Sequence, residues 1–307
     1  MRILVTGATG FVGGRLAQRL LDDDIDVRAL VRRPTDRARV PEGVEVAVAT
    51  LEPTDALRAA VSGVDCVIHA AGGGRSRTPD DFYRNNTATT QTLLDTCLAD
   101  GAVRRFLLVS SVAARARLTH YGRAKRQAED AVLAAEGIDT VVVRPPAVYG
   151  PGDDRMLPLF KGAARGVIPR TSKASTRMSF IHIDDCASAL ACAAHAGAGV
   201  YEADDGPART WAELADVLGQ ALNRTSAPRV IGLPRPVLMG AAMASEAWSR
   251  LADRAVVFTR DKVRELTETE PASDSSRMRD ELGWSHAVEL VDGARQTIQW
   301  YRDQGSL

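Results

Sequence analysis

Ser111, Tyr121 and Lys125 are the residues whose types and spacing point most directly to chemistry. Tyr121 and Lys125 stand at i and i+4, so on a helix they share a face, one turn apart. A phenol titrates at about 10 in water, and a neighbouring ammonium favours the phenolate, bringing proton transfer toward neutral pH. Nine residues separate Ser111 from Tyr121; Ser111 follows the apolar run "RFLLVS" (105–110) with a hydroxyl suited to holding a carbonyl or alcohol oxygen in place, and Ser110 is the second choice. Such a set moves a proton to or from an oxygen bonded to carbon. A Y-x-x-x-K pair by itself is common in helices, so its meaning depends on the elements that position it.

Those elements form an alternating series. The segments 2–6, 27–31, 44–48, 66–70, 105–110 and 140–144 are short, apolar and rich in β-branched residues, which predicts buried parallel strands. Leu16, Leu20 and Leu21 form one helical stripe between them. Ala124, Ala128, Val132 and Ala135 form another, with Gly137 as the predicted left-handed C-cap. The series predicts an α/β fold with a doubly wound parallel sheet, a Rossmann fold. Past "RPPAVYGPGDD" (144–154) the pattern loosens, leaving short strands at 177–183 and 199–203, helices from near Asp184 and Thr210, and a last helix at 290–303. Residues 1–150 with roughly 177–203 are therefore expected to form a dinucleotide-binding domain. A smaller, mostly helical C-terminal lobe, 151–176 and 204–307, is expected to bind substrate.

"VTGATGFVGG" (5–14) joins the first strand to the first helix. Gly7, Gly10 and Gly13 fit a tight turn, a close backbone approach to a diphosphate and close helix-to-strand packing. With Thr9, Phe11 and Val12 they are the candidate contacts, because a helix N-terminus offers free N–H groups to an anion. A structural turn also uses glycines; the strand before and the helix after favour dinucleotide binding. An NAD site places an acid at the end of the second strand, but here stand Val31, Arg32 and Arg33. Two arginines there are also what a solvated loop carries, yet their forked donors match a 2′-phosphate, so NADP(H) is expected in preference to NAD.

The composition is that of an ordinary globular chain: 307 residues, 45% apolar, 25% charged, and a formal net charge of zero. The balance gives no long-range field that would favour nucleic acid or an anionic membrane. Cys66, Cys97, Cys186 and Cys192 form no C-x-x-C pair or metal-ligand cluster, so neither a metal site nor a disulfide framework is expected. A signal peptide and a membrane span are likewise not expected, and a cytoplasmic location is.

The segments "TGATGFVG" (6–13), "VIHAAG" (67–72), "NNTATT" (85–90), "VSS" (109–111), "YGRAK" (121–125), "RPPAVYGPGD" (144–153), "FIHIDD" (180–185), "LGW" and "WY" together carry a resemblance. Over essentially its whole length the chain resembles an extended short-chain dehydrogenase/reductase of the NAD-dependent epimerase/dehydratase type. The resemblance implies Tyr121 as catalytic acid/base and Lys125 as the residue that lowers its pKa and binds the nicotinamide ribose. It implies Ser111 as the substrate-oriented hydroxyl and Asn86 as a supporting residue. Ala70, Ala71 and Gly72 would form a wall beside the cofactor, and Pro145 through Val148, with Ala147 between, would lie beside the nicotinamide. Thr50 and Leu51 replace the family's usual Asp-Leu near the adenine, and Val112-Ala113 replace the Asp-Glu of its dehydratases. Related proteins often pair through the helices at roughly 81–100 and 121–136, which makes a second copy the candidate protein partner.

The short link from Ser111 to Tyr121 leaves no room for the longer excursion common in nucleotide-sugar members. An NADP(H)-dependent reductase of a fairly apolar ketone or aldehyde is therefore expected. The alternatives are a nucleotide-sugar epimerase or reductase and a non-catalytic NADP-binding protein. The apolar stretch 234–258 resembles the corresponding region of hydroxysteroid dehydrogenases and dihydroflavonol-type reductases, and is expected to be ordinary core rather than a lipid pocket or membrane contact. His69 and His182 are expected to be structural, and Asp184 and Asp185 to cap a helix. For Arg117, His120 and the loop "GGGRSR" (72–77), with Arg75 and Arg77, contact with substrate and plain solvation remain open.

Overall fold

The computed structural model describes residues 1–74, 76–252, 258–268 and 272–307. Arg75 and the 253–257 portion of the apolar stretch lie outside the described residues.

Eleven strands run in chain order among the described residues: β1 (Arg2–Thr6), β2 (Asp26–Val31), β3 (Glu45–Val48), β4 (Cys66–His69), β5 (Arg105–Val109), β6 (Asp139–Arg144), β7 (Ala147–Tyr149), β8 (Val167–Arg170), β9 (Phe180–His182), β10 (Gly199–Glu202) and β11 (Arg229–Gly232). Seven of them make one parallel sheet in the order β10-β6-β5-β4-β1-β2-β3. Strand order reverses between β1 and β4, and the carboxyl ends there open the crevice in which such sheets bind ligands. The first half supplies α1 (Phe11–Asp22), α2 (Asp55–Val61), α3 (Pro79–Phe82), α4 (Thr89–Asp100), α5 (Ala113–Ala116) and α6 (His120–Leu133). The second half supplies α7 (Leu157–Ala164), α8 (Ile183–His195), α9 (Trp211–Ala221), α10 (Arg235–Ala252), α11 (Arg260–Glu268), α12 (Ser276–Leu282) and α13 (Leu290–Asp303).

The alternation of side chains along β1 sorts the core into two layers. Ile3 and Val5 pack with Leu16 and Leu20 of α1 and Leu190 of α8, whereas Leu4 packs with Leu57, Leu93 and Val132 on the opposite face. Both faces are covered, which is why the strands read as continuous apolar runs. A third core joins Tyr149, Phe160, Phe180, Trp211 and Tyr301 around α9 and α13.

Several local expectations change. Helix α6 ends at Leu133 with Ala134 as C-cap, and Gly137 takes its positive φ of 80° three residues later, in the turn into β6. Asp184 and Asp185 lie inside the first turn of α8, whose N-cap is His182; its Nδ1 accepts from the Asp184 N–H. Asp185 is buried and its carboxylate accepts the N–H groups of Ala287 and Val288, tying α8 to the C-terminal segment. The strand in 177–183 shortens to Phe180–His182 and pairs with β7 outside the main sheet. The segment 234–248 is not ordinary core: Leu238 and Ala242 are buried against Val263, but Val237, Met243 and Trp248 face outward. Among the described residues, helix α10 packs through Leu238 and Ala242 onto Val263 of α11, while its outer apolar residues stay exposed.

Candidate active site

The crevice is an open cleft of about 2150 Å³, twice the ~1000 Å³ of a large single-ligand pocket, so it has room for a dinucleotide and a second molecule together. At its floor the glycine turn folds tightly. The Gly10 N–H donates to the Gly7 carbonyl at 2.9 Å, and Gly7 has φ of 75°. A Cβ on Gly7 would stand 2.7 Å from the Ala71 nitrogen, and one on Gly13 would stand 2.3 Å from the Gly7 oxygen. Only glycine permits β1, α1 and the end of β4 to approach this closely. Gly10 is the N-cap of α1 and brings no side chain to cap it, so the first turn's N–H groups face the cleft available to an anion. Thr6 braces the far wall: its hydroxyl accepts the Ala71 N–H at 3.2 Å and bonds His69 Nδ1 at 2.7 Å. His69 is fully buried and pushed down to about 3, so it is neutral, and its role is structural.

Gly7, Thr9, Gly10, Phe11, Val12, Gly13, Thr50, Leu51, Ala70, Ala71, Gly72, Pro145, Ala147 and Val148 all line this one cleft, together with Arg32. Arg33 does not. Its guanidinium forks onto Asp36 at 2.9 and 3.3 Å, and Asp36, held well below the usual carboxylate range by that hydrogen bond, borders the cleft instead. Arg39, which sequence reasoning missed, donates from Nη2 to the Thr9 carbonyl at 2.8 Å and so bridges back to the glycine turn. Its position seven residues past Arg32 in a basic loop was visible; the return of the loop to Thr9 was not.

Ser111, Tyr121 and Lys125 line the same cleft. Thr119 caps α6 by accepting the Gly122 N–H, and Gly122 packs against α5 so closely that a Cβ would stand 2.5 Å from the Ala113 oxygen. That contact presses the first turn of α6 against the segment that follows Ser111. Ser111 is half-buried, with Oγ accepting the Ala113 N–H at 3.3 Å. Ser110 is committed elsewhere: it donates to the buried carboxylate of Glu129 at 2.5 Å, which also forks onto Arg144. Lys125 Nζ donates to the Val109 carbonyl at 2.9 Å, and burial pushes its ammonium down to about 8 while Glu129 pulls it back up. The Tyr121 ring lies beside Phe82, with centroids 6.2 Å apart.

Asn86 is buried but does not line the cleft. From a π-helical turn over Tyr83–Ala88, its amide accepts the Gly73 N–H at 3.2 Å and donates to the Phe82 carbonyl at 2.9 Å. It therefore fixes the loop above Gly72 rather than touching the cleft. Arg117 and His120 are also outside the lining; His120 Nδ1 bonds the Tyr83 hydroxyl. The His120 N–H donates to Asp261 at 2.7 Å, which ties α11 to the turn that carries Tyr121. Met156, Leu159, Phe180, Trp211, Phe258 and Leu266 bring large apolar side chains to the cleft, interleaved with Asp154, Arg155, Asp261 and Lys262. Cys66, Cys97 and Cys186 are buried, with thiols pushed up to about 12.

A parallel sheet with a glycine turn at its switch point, together with a family profile over most of the chain, makes this an NAD(P)-binding oxidoreductase of the extended short-chain dehydrogenase/reductase class. The chain belongs to the NAD dependent epimerase/dehydratase family, whose profile matches residues 3–203. It is 37% identical over 310 residues to the ceramide reductase of Caulobacter vibrioides, covering 99% of this chain and 96% of that one. It is 29% identical over 319 residues to the 4-hydroxy-2-methyl-3-oxo-4-farnesyl-3,4-dihydroquinoline-1-oxide ketoreductase of Stigmatella aurantiaca, covering 95% and 94% of the two chains. Among solved structures it is similar to gox2253, with a TM-score of 0.79 and 26% identity over 99% of each chain. No described helix is long and apolar enough to cross a membrane.

Proposed function

We propose that this protein reduces the carbonyl of a ketone bearing long hydrocarbon chains, with NADPH as the preferred donor. The observation that carries the reading is the buried ammonium of Lys125 one turn along α6 from Tyr121, in a cleft that Ser111 and a group of large apolar side chains also line. The printed names of the two relatives, a ceramide reductase and a ketoreductase of a farnesylated 3-oxo compound, support the same substrate class. Arg32 and Arg39, both beside the glycine turn, support NADPH over NADH. In this reading Asp36 already has its counter-charge in Arg33 and does not oppose the 2′-phosphate.

When bound, the nicotinamide supplies a hydride to the carbonyl carbon. Ser111 donates a hydrogen bond to the carbonyl oxygen and holds it toward Tyr121. Tyr121 gives its proton to that oxygen as the carbon–oxygen double bond becomes single, leaving an alcohol and a phenolate. Lys125 stabilises the phenolate electrostatically, an effect enlarged by its burial. Water returns the proton to Tyr121. Asn86, through Gly73, positions the loop above the reacting groups.

Residues 1–150 with roughly 177–203 serve as the dinucleotide-binding domain and the remainder as the substrate lobe. Two copies pair through α4 and α6, where Leu98 and Leu133 are exposed. The test is NADPH oxidation by the purified protein with a detergent-dispersed long-chain 3-oxo amide, a short ketone and a nucleotide sugar. Turnover is expected with the first, and Tyr121→Phe is expected to lower it by a factor of about 100 or more while NADPH still binds. Turnover of the nucleotide sugar without net NADPH consumption overturns the reading.

A further inference from the structure

The outer face of α10 is the feature the reaction does not use. Val237, Ala241, Ala244 and Trp248 recur at i, i+4, i+7 and i+11, so they form one line along the helix, and all four are exposed. Val237 is 57% exposed and Trp248 66%. Leu238 and Ala242 point the opposite way, into α11. A helix bordering water ordinarily turns charge outward. Here no charged residue stands between Arg235 and Glu246. The apolar surface continues backward along the chain, because Ile231 and Leu233, at the end of β11, are also exposed.

We infer that this face docks on an anionic phospholipid bilayer, laying α10 in the interface without crossing it. Three observations favour a bilayer over a second copy of the chain. From residue 217 to 245 the sequence carries Arg224, Arg229 and Arg235 and no acid, although acids and bases are equal in number overall. Cations flanking an apolar helix face are what an anionic headgroup layer attracts. Trp248 ends the exposed line, and an indole combines an apolar body with a polar N–H suited to that layer. Thirdly, α11 packs against α10, with Glu246 paired to Arg260 at 2.9 Å, and Phe258, Lys262 and Leu266 border the cleft. An amphiphile leaving the bilayer beside α10 would reach the cleft's apolar side chains without crossing bulk water. This last point rests on the long-chain substrate proposed above; the docking itself does not.

The test is flotation of the full-length protein with two vesicle types: phosphatidylcholine alone, and phosphatidylcholine with phosphatidylglycerol at about 3:1. The native protein is expected to float with the anionic vesicles at low salt and to be released by high salt. The double variant Val237→Glu, Trp248→Glu, whose sites are exposed and outside the cleft, is expected to bind about tenfold more weakly or worse. Its turnover of the detergent-dispersed long-chain 3-oxo amide should be unchanged. Arg229→Glu is expected to weaken binding to anionic vesicles alone. Failure of the native protein to float, or equal binding by the double variant, overturns the inference. So does a dimer, seen by light scattering, that the double variant dissolves while vesicle binding is absent. Vesicle binding without reduction of long-chain ketones would sink the substrate reading and leave the docking surface intact; reduction in detergent without vesicle binding would do the reverse.

Discussion

Replacing Lys125 by Met separates what this residue does for catalysis from what it does to the fold. The ammonium is buried and pushed from 10.5 down to about 8, chiefly by desolvation. In the cofactor-free protein that displacement corresponds to a penalty of about 3 kcal/mol near neutral pH, because the folded state must hold a charge that the unfolded chain keeps in water. Below about pH 8 both states carry the proton and the penalty is complete. Between about 8 and 10.5 the folded state releases the proton while the unfolded chain retains it, so the native protein gains stability as pH rises. Methionine keeps much of the stem and carries no charge. It also loses the hydrogen bond to the Val109 carbonyl, worth roughly 1–3 kcal/mol and nearly independent of pH. Urea unfolding of both proteins at about pH 6.5 and pH 10 is the assay. The native-minus-variant difference should move by about 2–3 kcal/mol in favour of the native protein across that range, while the variant loses turnover by a factor of about 100 or more. A difference constant to within about 0.5 kcal/mol would refute the assignment of the penalty to Lys125.

Gly13→Ala places a Cβ 2.3 Å from the Gly7 oxygen, so it should cost about 1–3 kcal/mol in denaturant unfolding and weaken NADPH binding by tenfold or more. Gly137→Ala meets nothing within 4 Å and bears only its positive φ; it should cost about 1 kcal/mol and leave cofactor affinity unchanged. Arg32→Ala and Arg39→Ala should each reduce the preference for NADPH over NADH by about tenfold or more in fluorescence titrations. Arg33→Ala should leave that preference largely intact, since Arg33 serves Asp36. Asp205 is pushed up to about 7 by burial. Its contribution is therefore complete below about pH 4 and lost as pH rises toward 7. Asp205→Asn should raise Tm relative to the native protein above pH 7, by the equivalent of a few kcal/mol, and leave it unchanged near pH 4.

Much of the site was legible because its signals are local. The glycine turn, the strand periods and the i, i+4 pair each lie within a few residues, and the cleft brings together nearly all the residues they nominate. Arg33 and Asn86 depart because of side-chain placements that residue type and spacing do not show. A buried aspartate three residues on captures Arg33, and Asn86 sits under a loop thirteen residues away in the chain. The predicted caps at Gly137 and at Asp184–Asp185 failed differently. Helix ends depend on which of several neighbouring residues satisfies the terminal backbone groups, and that competition shifts a boundary by a residue or two.

The sequence by itself determined the alternating architecture, the dinucleotide turn and the chemical types at the reacting edge, because side-chain period, glycine spacing and helical geometry are properties of consecutive residues. Only the tertiary structure decided the rest. It bound the Ser110 hydroxyl to Glu129, buried Lys125 with its ammonium on the Val109 carbonyl and its pKa pushed down to about 8, and brought Arg39 back to Thr9. Among the described residues it also left Val237, Met243 and Trp248 of α10 exposed. An apolar helix reads alike whether one side or both are packed; solvent exposure is decided by what folds against it.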